Sequence, residues 1–239
     1  MSRVKMIFLG VGVLFLFAFQ TYAQAGTLNI PSVGLSQAEF KDISKELGLA
    51  VSYLPLSPAE PLGIIGFDAG LEVTAASTKS DSWRKVGNPP KTIILPKLHV
   101  QKGLPFGIDV GAIYSSVPGL NVQLVGGEIK YAIIGGNIAL PAVAVRGTYT
   151  KLLGVDSLDL STVSADLSVS KGFTFITPYA GAGVVRVTSK ANVAGLTEEK
   201  QNLSKGFVGV RISLAVINFV FEADFAEIPL YTVRVNVGL

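Results

Sequence analysis

The 239-residue chain has no cysteine, a single histidine and a single tryptophan. Without cysteine there is no disulfide framework, no thiolate nucleophile and no thiolate-ligated metal site. Charge is scarce as well. Charged residues make up 15% of the chain, against about 25% in ordinary soluble domains, and the mean hydropathy is +0.50. Such a composition leaves few groups to face water. Long apolar runs are also rare. The one at residues 6–19 is short of the roughly 20 residues that a membrane-spanning helix needs. No zinc or calcium spacing, phosphate loop or dinucleotide fingerprint is present, so neither a metal nor a cofactor is expected.

The apolar run follows Arg3 and Lys5 and precedes Ala23 and Ala25. This is the charged, apolar and small-residue order of a cleaved secretory signal over residues 1–25. Its removal would lower the formal charge from +3 to +1, so the basic character belongs mainly to the precursor and does not point to nucleic acid. Residues 26–61 read as an N-terminal periplasmic segment. They hold a helix over 36–48, opened by a Ser36/Glu39 capping box with Phe40, Ile43 and Leu47 on one face, and ended at Gly48. The proline-rich LPLSPAEPLG follows as a linker.

From about residue 62 to 239 the pattern is period two. In GFDAGLEVTA, Phe67, Ala69, Leu71 and Val73 alternate with Asp68, Gly70, Glu72 and Thr74. In YTVRVNVGL, Tyr231, Val233, Val235, Val237 and Leu239 alternate with Thr232, Arg234 and Asn236. About ten such strands can be counted. A parity slip in LNVQLVGGEIKYAI is assigned to a bulge at Gly126–Gly127. Short connections at KGLP, IIGGN, SKGF and LAVIN contrast with long polar stretches at 77–90 and 189–204. Even strand number, strand length and short turns at one rim predict an all-β fold: a transmembrane antiparallel up-and-down β-barrel with a short N-terminal helix.

Alternation alone does not say which face is wet, because a soluble barrel reads the same way with inside and outside exchanged. The polar face here is dominated by Gly, Ala, Ser and Thr, which suits a narrow lumen. Its charges balance: Asp68, Glu72, Asp109, Glu128, Asp166, Glu222 and Asp224 stand against Lys97, Lys130, Arg146, Arg186, Arg211, Arg234 and His99. Buried charges need partners; a solvated face does not. The other face, if exposed to water, would be an apolar patch far larger than soluble monomers tolerate. Lipid outside and a charge-paired lumen inside follow, with the terminal strand closing the barrel against the first.

The chain resembles bacterial outer-membrane β-barrel proteins, which carry a cleaved signal and an alternating terminal strand that usually ends in an aromatic; Leu239 departs from that ending. More narrowly, KGLPFG, GGEIKYAII, RGTYTKLLGV and TPYAGAG resemble an uncharacterised outer-membrane family, a domain of unknown function. The resemblance implies a Gram-negative outer membrane and insertion by the outer-membrane assembly machinery. It implies no activity.

Some barrels of this size are proteases or lipid-modifying enzymes that use histidine. His99 is the one candidate. It is expected near the periplasmic end as a lumen partner of an acid such as Asp68 or Asp109, so no catalytic residue is assigned. Ten strands lie close to the filled end of the barrel range, so a non-enzymatic structural or surface-interacting barrel is expected before a narrow channel for small or apolar solutes gated by the helix. The helix is expected at the periplasmic mouth or the membrane interface. In the first long loop, Trp83, Arg84 and Lys85, near Lys79 and Lys91, are candidates for lipopolysaccharide contact.

Overall fold

The period-two pattern becomes ten antiparallel strands in a computed structural model that describes residues 34–86, 91–116 and 121–238. The expected signal at 1–25 and Leu239 lie outside the described residues. The strands are β1 (Phe67–Ser77), β2 (Thr92–Gly103), β3 (Ile108–Ser116), β4 (Gln123–Gly135), β5 (Ala142–Leu153), β6 (Leu158–Ser170), β7 (Ile176–Ala191), β8 (Glu199–Leu214), β9 (Ile217–Phe225) and β10 (Pro229–Gly238). Each pairs with its sequence neighbours, and β10 pairs with β1 with Val233 opposite Val73, so the sheet closes without an edge. That closure satisfies the backbone of the terminal strand, where a free end would fray.

Side chains alternate across the wall. On β1, Asp68, Glu72, Thr74 and Ala76 are buried while Phe67, Ala69 and Leu71 are exposed. On β10, Leu230, Thr232, Arg234 and Asn236 turn inward while Tyr231 and Val233 turn outward. Two local expectations change. The irregularity in β4 sits between Ala132 and Ile134, not at Gly126–Gly127. No slip is needed at the glycines, because Gln123 is exposed and Leu124 is buried in the same phase as Glu128 and Lys130. The stretch 189–204 is mostly wall rather than loop, since β7 runs to Ala191 and β8 starts at Glu199.

The helix α1 (Gln37–Val51) begins as expected. The Ser36 amide donates to the Glu39 carboxylate at 2.9 Å, and the Glu39 amide donates to the Ser36 hydroxyl at 3.3 Å. It does not stop at Gly48 but continues to Val51. Gly48 is buried against β7, and a Cβ there would overlap the methyl groups of Val187. The glycine permits close approach; it does not end the helix.

Placement of α1 is the main departure from expectation. The helix does not cap the short-turn mouth, where a periplasmic segment was expected. It lies inside the barrel at the opposite, long-loop end. Phe40, Ile43, Leu47 and Val51 join Leu124, Leu160, Val185, Val187 and Leu230 in one buried apolar cluster. Trp83 and Val86, on the short 3₁₀ turn at Asp81–Val86 of the first loop, complete it. The cause is burial. The apolar stripe of α1 gains about 25 cal/mol for each Å² removed from water, and the upper lumen offers a matching apolar wall.

Gly48 supplies a test. Gly→Ala inside a helix normally adds up to about 1 kcal/mol of stability. Here Gly48→Ala is expected to destabilise the barrel by about 1–3 kcal/mol through overpacking, measured by urea unfolding, and Val187→Ala in the same chain is expected to recover most of that loss.

Candidate functional site in the barrel lumen

From Ser52 at the end of α1, the chain descends through the lumen to β1, and inward-facing side chains hold it at every level. Tyr53, Leu54, Leu56 and Ala59 are fully or almost fully buried. The Leu56 amide donates to Glu222 at 3.0 Å and its carbonyl accepts from Arg234 at 3.2 Å. Arg146 donates to the Ser57 hydroxyl at 2.9 Å. The Ala59 amide donates to Ser170 at 3.0 Å. Lys130 donates to the Pro58 and Glu60 carbonyls at 3.0 and 2.9 Å. At the bottom, the Leu62 amide donates to Asp109 at 3.1 Å. What reads as a linker in sequence is a strap, and its prolines suit it: Pro lacks an N–H that would need an acceptor. Leu56 adopts a positive φ of 45°, a conformation that persists only where surrounding bonds over-determine it.

The strap sits inside a network of ion pairs. Asp68 accepts from Arg234, from Arg211 at 2.9 Å and from Asn236. Glu72 pairs with Lys97 at 2.8 Å and with His99 Nδ1 at 2.8 Å. Asp109 meets Lys130 at 2.9 Å, and Glu128 meets Arg146 at 3.0 Å and accepts from Gln101. These carboxylates, together with Lys97, Lys130, Arg146 and Arg234, are all buried. In such surroundings the pairs are weakly screened, and each needs its partner.

Most of the residues assigned to the lumen from sequence are gathered there, with two corrections and several additions. Arg186 is exposed on the outer wall, because β7 turns Tyr179, Val185 and Val187 inward instead. His99 pairs with Glu72 rather than Asp68 or Asp109, and its Nε2 lies 2.8 Å from the Tyr53 hydroxyl. That geometry suits a neutral imidazole, with Nδ1–H donating to the carboxylate and Nε2 accepting from the phenol. Lys205 was not assigned from sequence; it is buried on β8 and reaches Asp166 at 3.9 Å. Between them β7 carries only Gly183, which is opposite both Lys205 and Asp166 in register. Tyr179, also unassigned, donates to Glu222 at 2.7 Å. Asp166, Glu222 and Asp224 thus share fewer cations than the other acids, and neither Asp224 oxygen has a hydrogen-bond donor among the described residues.

The Tyr53–His99–Glu72–Lys97 chain has the length of a proton relay, but Tyr53 and His99 are each 0% exposed. A cavity of about 210 Å³ at the short-turn end is lined by Asp68, Arg211, Ser213 and Asn218, not by His99 or Tyr53.

Of the loop residues singled out for lipopolysaccharide, Trp83 and Lys85 contact α1, while Arg84 stays exposed. Trp83 is buried and its Nε1 donates to Glu46 at 2.7 Å. The Glu46 carboxylate also accepts the Lys79 and Ser80 amides at 3.1 and 2.9 Å. Lys85 pairs with Glu39 at 2.7 Å, and Arg84 pairs with its neighbour Asp81 at 3.0 Å. On the opposite wall, Ser44 bonds Ser189 at 3.0 Å, and Gln201 donates to the Lys41 carbonyl at 3.0 Å. Lys85 and the Ser36 amide and hydroxyl, in that order, hold the Glu39 carboxyl down to about 2. A depressed carboxyl contributes stability above its unfolded value of 4.5, lost as pH falls towards 2.

Two outcomes are expected. Asp68→Ala strands the buried Arg234 and leaves the half-buried Arg211 without its carboxylate, and should cost about 3–5 kcal/mol in urea unfolding, whereas Asp224→Asn removes a poorly compensated charge and should be neutral or stabilising. Acid titration of emission from Trp83, the single tryptophan, should show the α1 anchor loosening at higher pH in Lys85→Met than in the unmodified chain, because loss of Lys85 returns Glu39 towards its ordinary range.

No family model matches the chain and no curated protein matches it. Among solved structures it is similar to the translocator domain of the autotransporter NalP from Neisseria meningitidis, at 10% identity over 84% of this chain and 96% of that one, with a TM-score of 0.43. The N-terminal β-barrel domain of Pseudomonas aeruginosa OprF is similar at 12% identity over 74% and 99% of the two chains, with a TM-score of 0.35. Neisserial surface protein A is similar at 12% identity over 72% and 96%, with a TM-score of 0.32. These are likenesses of barrel to barrel and bring no activity with them.

Proposed function

We propose that the chain is an integral outer-membrane β-barrel of non-enzymatic, structural or surface-interacting role, closed by its own N-terminal strap. One observation carries the reading: the exposed wall is an apolar belt, while the charged side chains at its level turn inward and the outward ones gather at the long-loop end. Leu71, Leu98, Ile129, Val145, Leu167, Val208, Phe221 and Val233 are each 40–55% exposed on eight different strands. Ile65, Phe106, Ile138, Phe173 and Phe175 extend the apolar surface to the short-turn rim. A water-facing barrel with this inversion would aggregate. In a bilayer it is the stable arrangement, because a closed ladder satisfies the strand backbone and leaves no edge in hydrocarbon. Lipid and lipopolysaccharide are then the surrounding partners, and the outer-membrane assembly machinery inserts the chain. The finer likeness to an uncharacterised outer-membrane family belongs with this reading.

The filled lumen favours a closed barrel over the channel reading. Tyr53, Leu54 and Leu56 occupy the interior at 0–2% exposure and α1 fills the long-loop end. With long loops outward, α1 faces the cell exterior rather than the periplasm.

In planar bilayers the purified chain should insert without conductance steps. Leu167→Arg, placed at the centre of the belt, should raise the folding free energy in lipid vesicles by about 2–4 kcal/mol. Stable open-channel steps would reject the closed lumen, and an unchanged folding free energy would reject lipid outside.

A further inference from the structure

The turn of Arg186 from lumen to wall exposes a pattern in the outer face of β5–β8. Registered rows run across these strands. Val145, Leu167, Ala182 and Gly206 form an apolar row. Four residues higher, the row is Tyr149, Val163, Arg186 and Asn202. The next is Lys151, Ser161, Thr188 and Lys200, and above it Lys190 stands opposite Asp159. Hydrocarbon-compatible surface thus gives way to cations within two rows, beside a tyrosine of the kind that marks membrane interfaces.

Arg186, Lys190 and Lys200 are exposed and Lys151 is half-buried. Arg186, Lys190 and Lys151 make no ion pair or side-chain hydrogen bond among the described residues, while Lys200 lies 3.2 Å from Glu198. Asp159 and Glu198, with the exposed Asp156 in the β5–β6 turn, are the acids at this end, so four cations stand against three anions. The patch is one-sided. At the same end of the wall, the outward residues are Ser77 and Thr92 on β1 and β2, and Ser116 and Gln123 on β3 and β4.

We propose that this patch binds the phosphate groups of lipid headgroups in the outer leaflet. The proposal rests on the membrane reading above and adds a specific ligand chemistry and a specific side of the barrel. Position selects the occupant. A cation just above an apolar belt faces the headgroup layer, where phosphate is the anion at that depth. Long Lys and Arg stems lie along apolar wall with their charged ends directed to it, and the Arg186 guanidinium can donate two parallel hydrogen bonds to one phosphate.

The test uses the full chain in detergent micelles. Diphosphoryl lipid A, the same lipid A without phosphates, and inorganic phosphate are titrated against it. The comparison variant carries Lys151→Gln, Arg186→Gln, Lys190→Gln and Lys200→Gln, and an Arg84→Gln/Lys91→Gln variant tests position within the long-loop end. Diphosphoryl lipid A should bind the unmodified chain and the loop variant alike, and the wall variant on the order of tenfold more weakly. Equal affinity for the wall variant, equal affinity for phosphate-free lipid A, or equally tight inorganic phosphate would each overturn the proposal. Detergent dependence of both proteins tests the membrane reading separately: a wall variant that still needs detergent but binds lipid A unchanged removes the patch and leaves that reading standing.

Discussion

The arrangement depends on compensation of charge inside a closed wall. With an apolar belt outside, the barrel has one place for its buried titratable groups, and there each must find an opposite charge or a peptide dipole. The strap supplies the dipoles. Lys130 and Arg234 end on strap carbonyls, and Asp109 and Glu222 accept strap amides. Neither element is stable alone. Without the strap, the lumen would hold cations short of acceptors; without the ion pairs, an extended backbone would be buried with its own polar groups unpaired.

This makes the interior a layered core. The long-loop half is mainly apolar, with the apolar face of α1 against Leu124, Leu160, Val185 and Val187. The short-turn half is ionic, from Glu72 and Lys97 down to Asp68, Asp109 and Lys130. A smaller apolar cluster of Leu54, Leu56, Tyr179, Phe207 and Val220 lies on one side of the ionic half, with Val220 opposite Arg211 and Arg234 in register. The strap changes from helix to extended chain at Ser52, close to the boundary between the two halves. A helix satisfies its own backbone in an apolar layer; an extended strap offers its backbone to a charged one.

Strands and their inward charges were legible wherever the two parities differ in chemistry. Asp68 and Glu72 against Phe67 and Leu71 leave one choice of face, and closure of β10 on β1 followed from alternation to the chain's end. Where parity carries little contrast, the phase was lost. YAGAGVVRV has small residues at both parities, so Arg186 was turned inward by its charge when Tyr179 and Val187 in fact set the phase. Lys205 is within reach of the same reasoning: it shares its parity with Arg211 and lies just past the polar stretch at 189–204. The strap was not legible. LPLSPAEPLG has the composition of an exposed linker, and only carbonyls buried against Lys130 and Arg234 give it another role. Gly48 likewise reads as a stop signal until Val187 is seen beside it.

The central claim is that residues 53–62 are part of the barrel interior rather than a tether outside it. Hydrogen–deuterium exchange of the folded protein tests this directly. The amides of Leu56, Ala59 and Leu62 are bonded to Glu222, Ser170 and Asp109, and they are expected to exchange as slowly as the wall strands, released only by global unfolding. Exchange at the rate of an exposed linker, with β1–β10 still protected, would contradict the account.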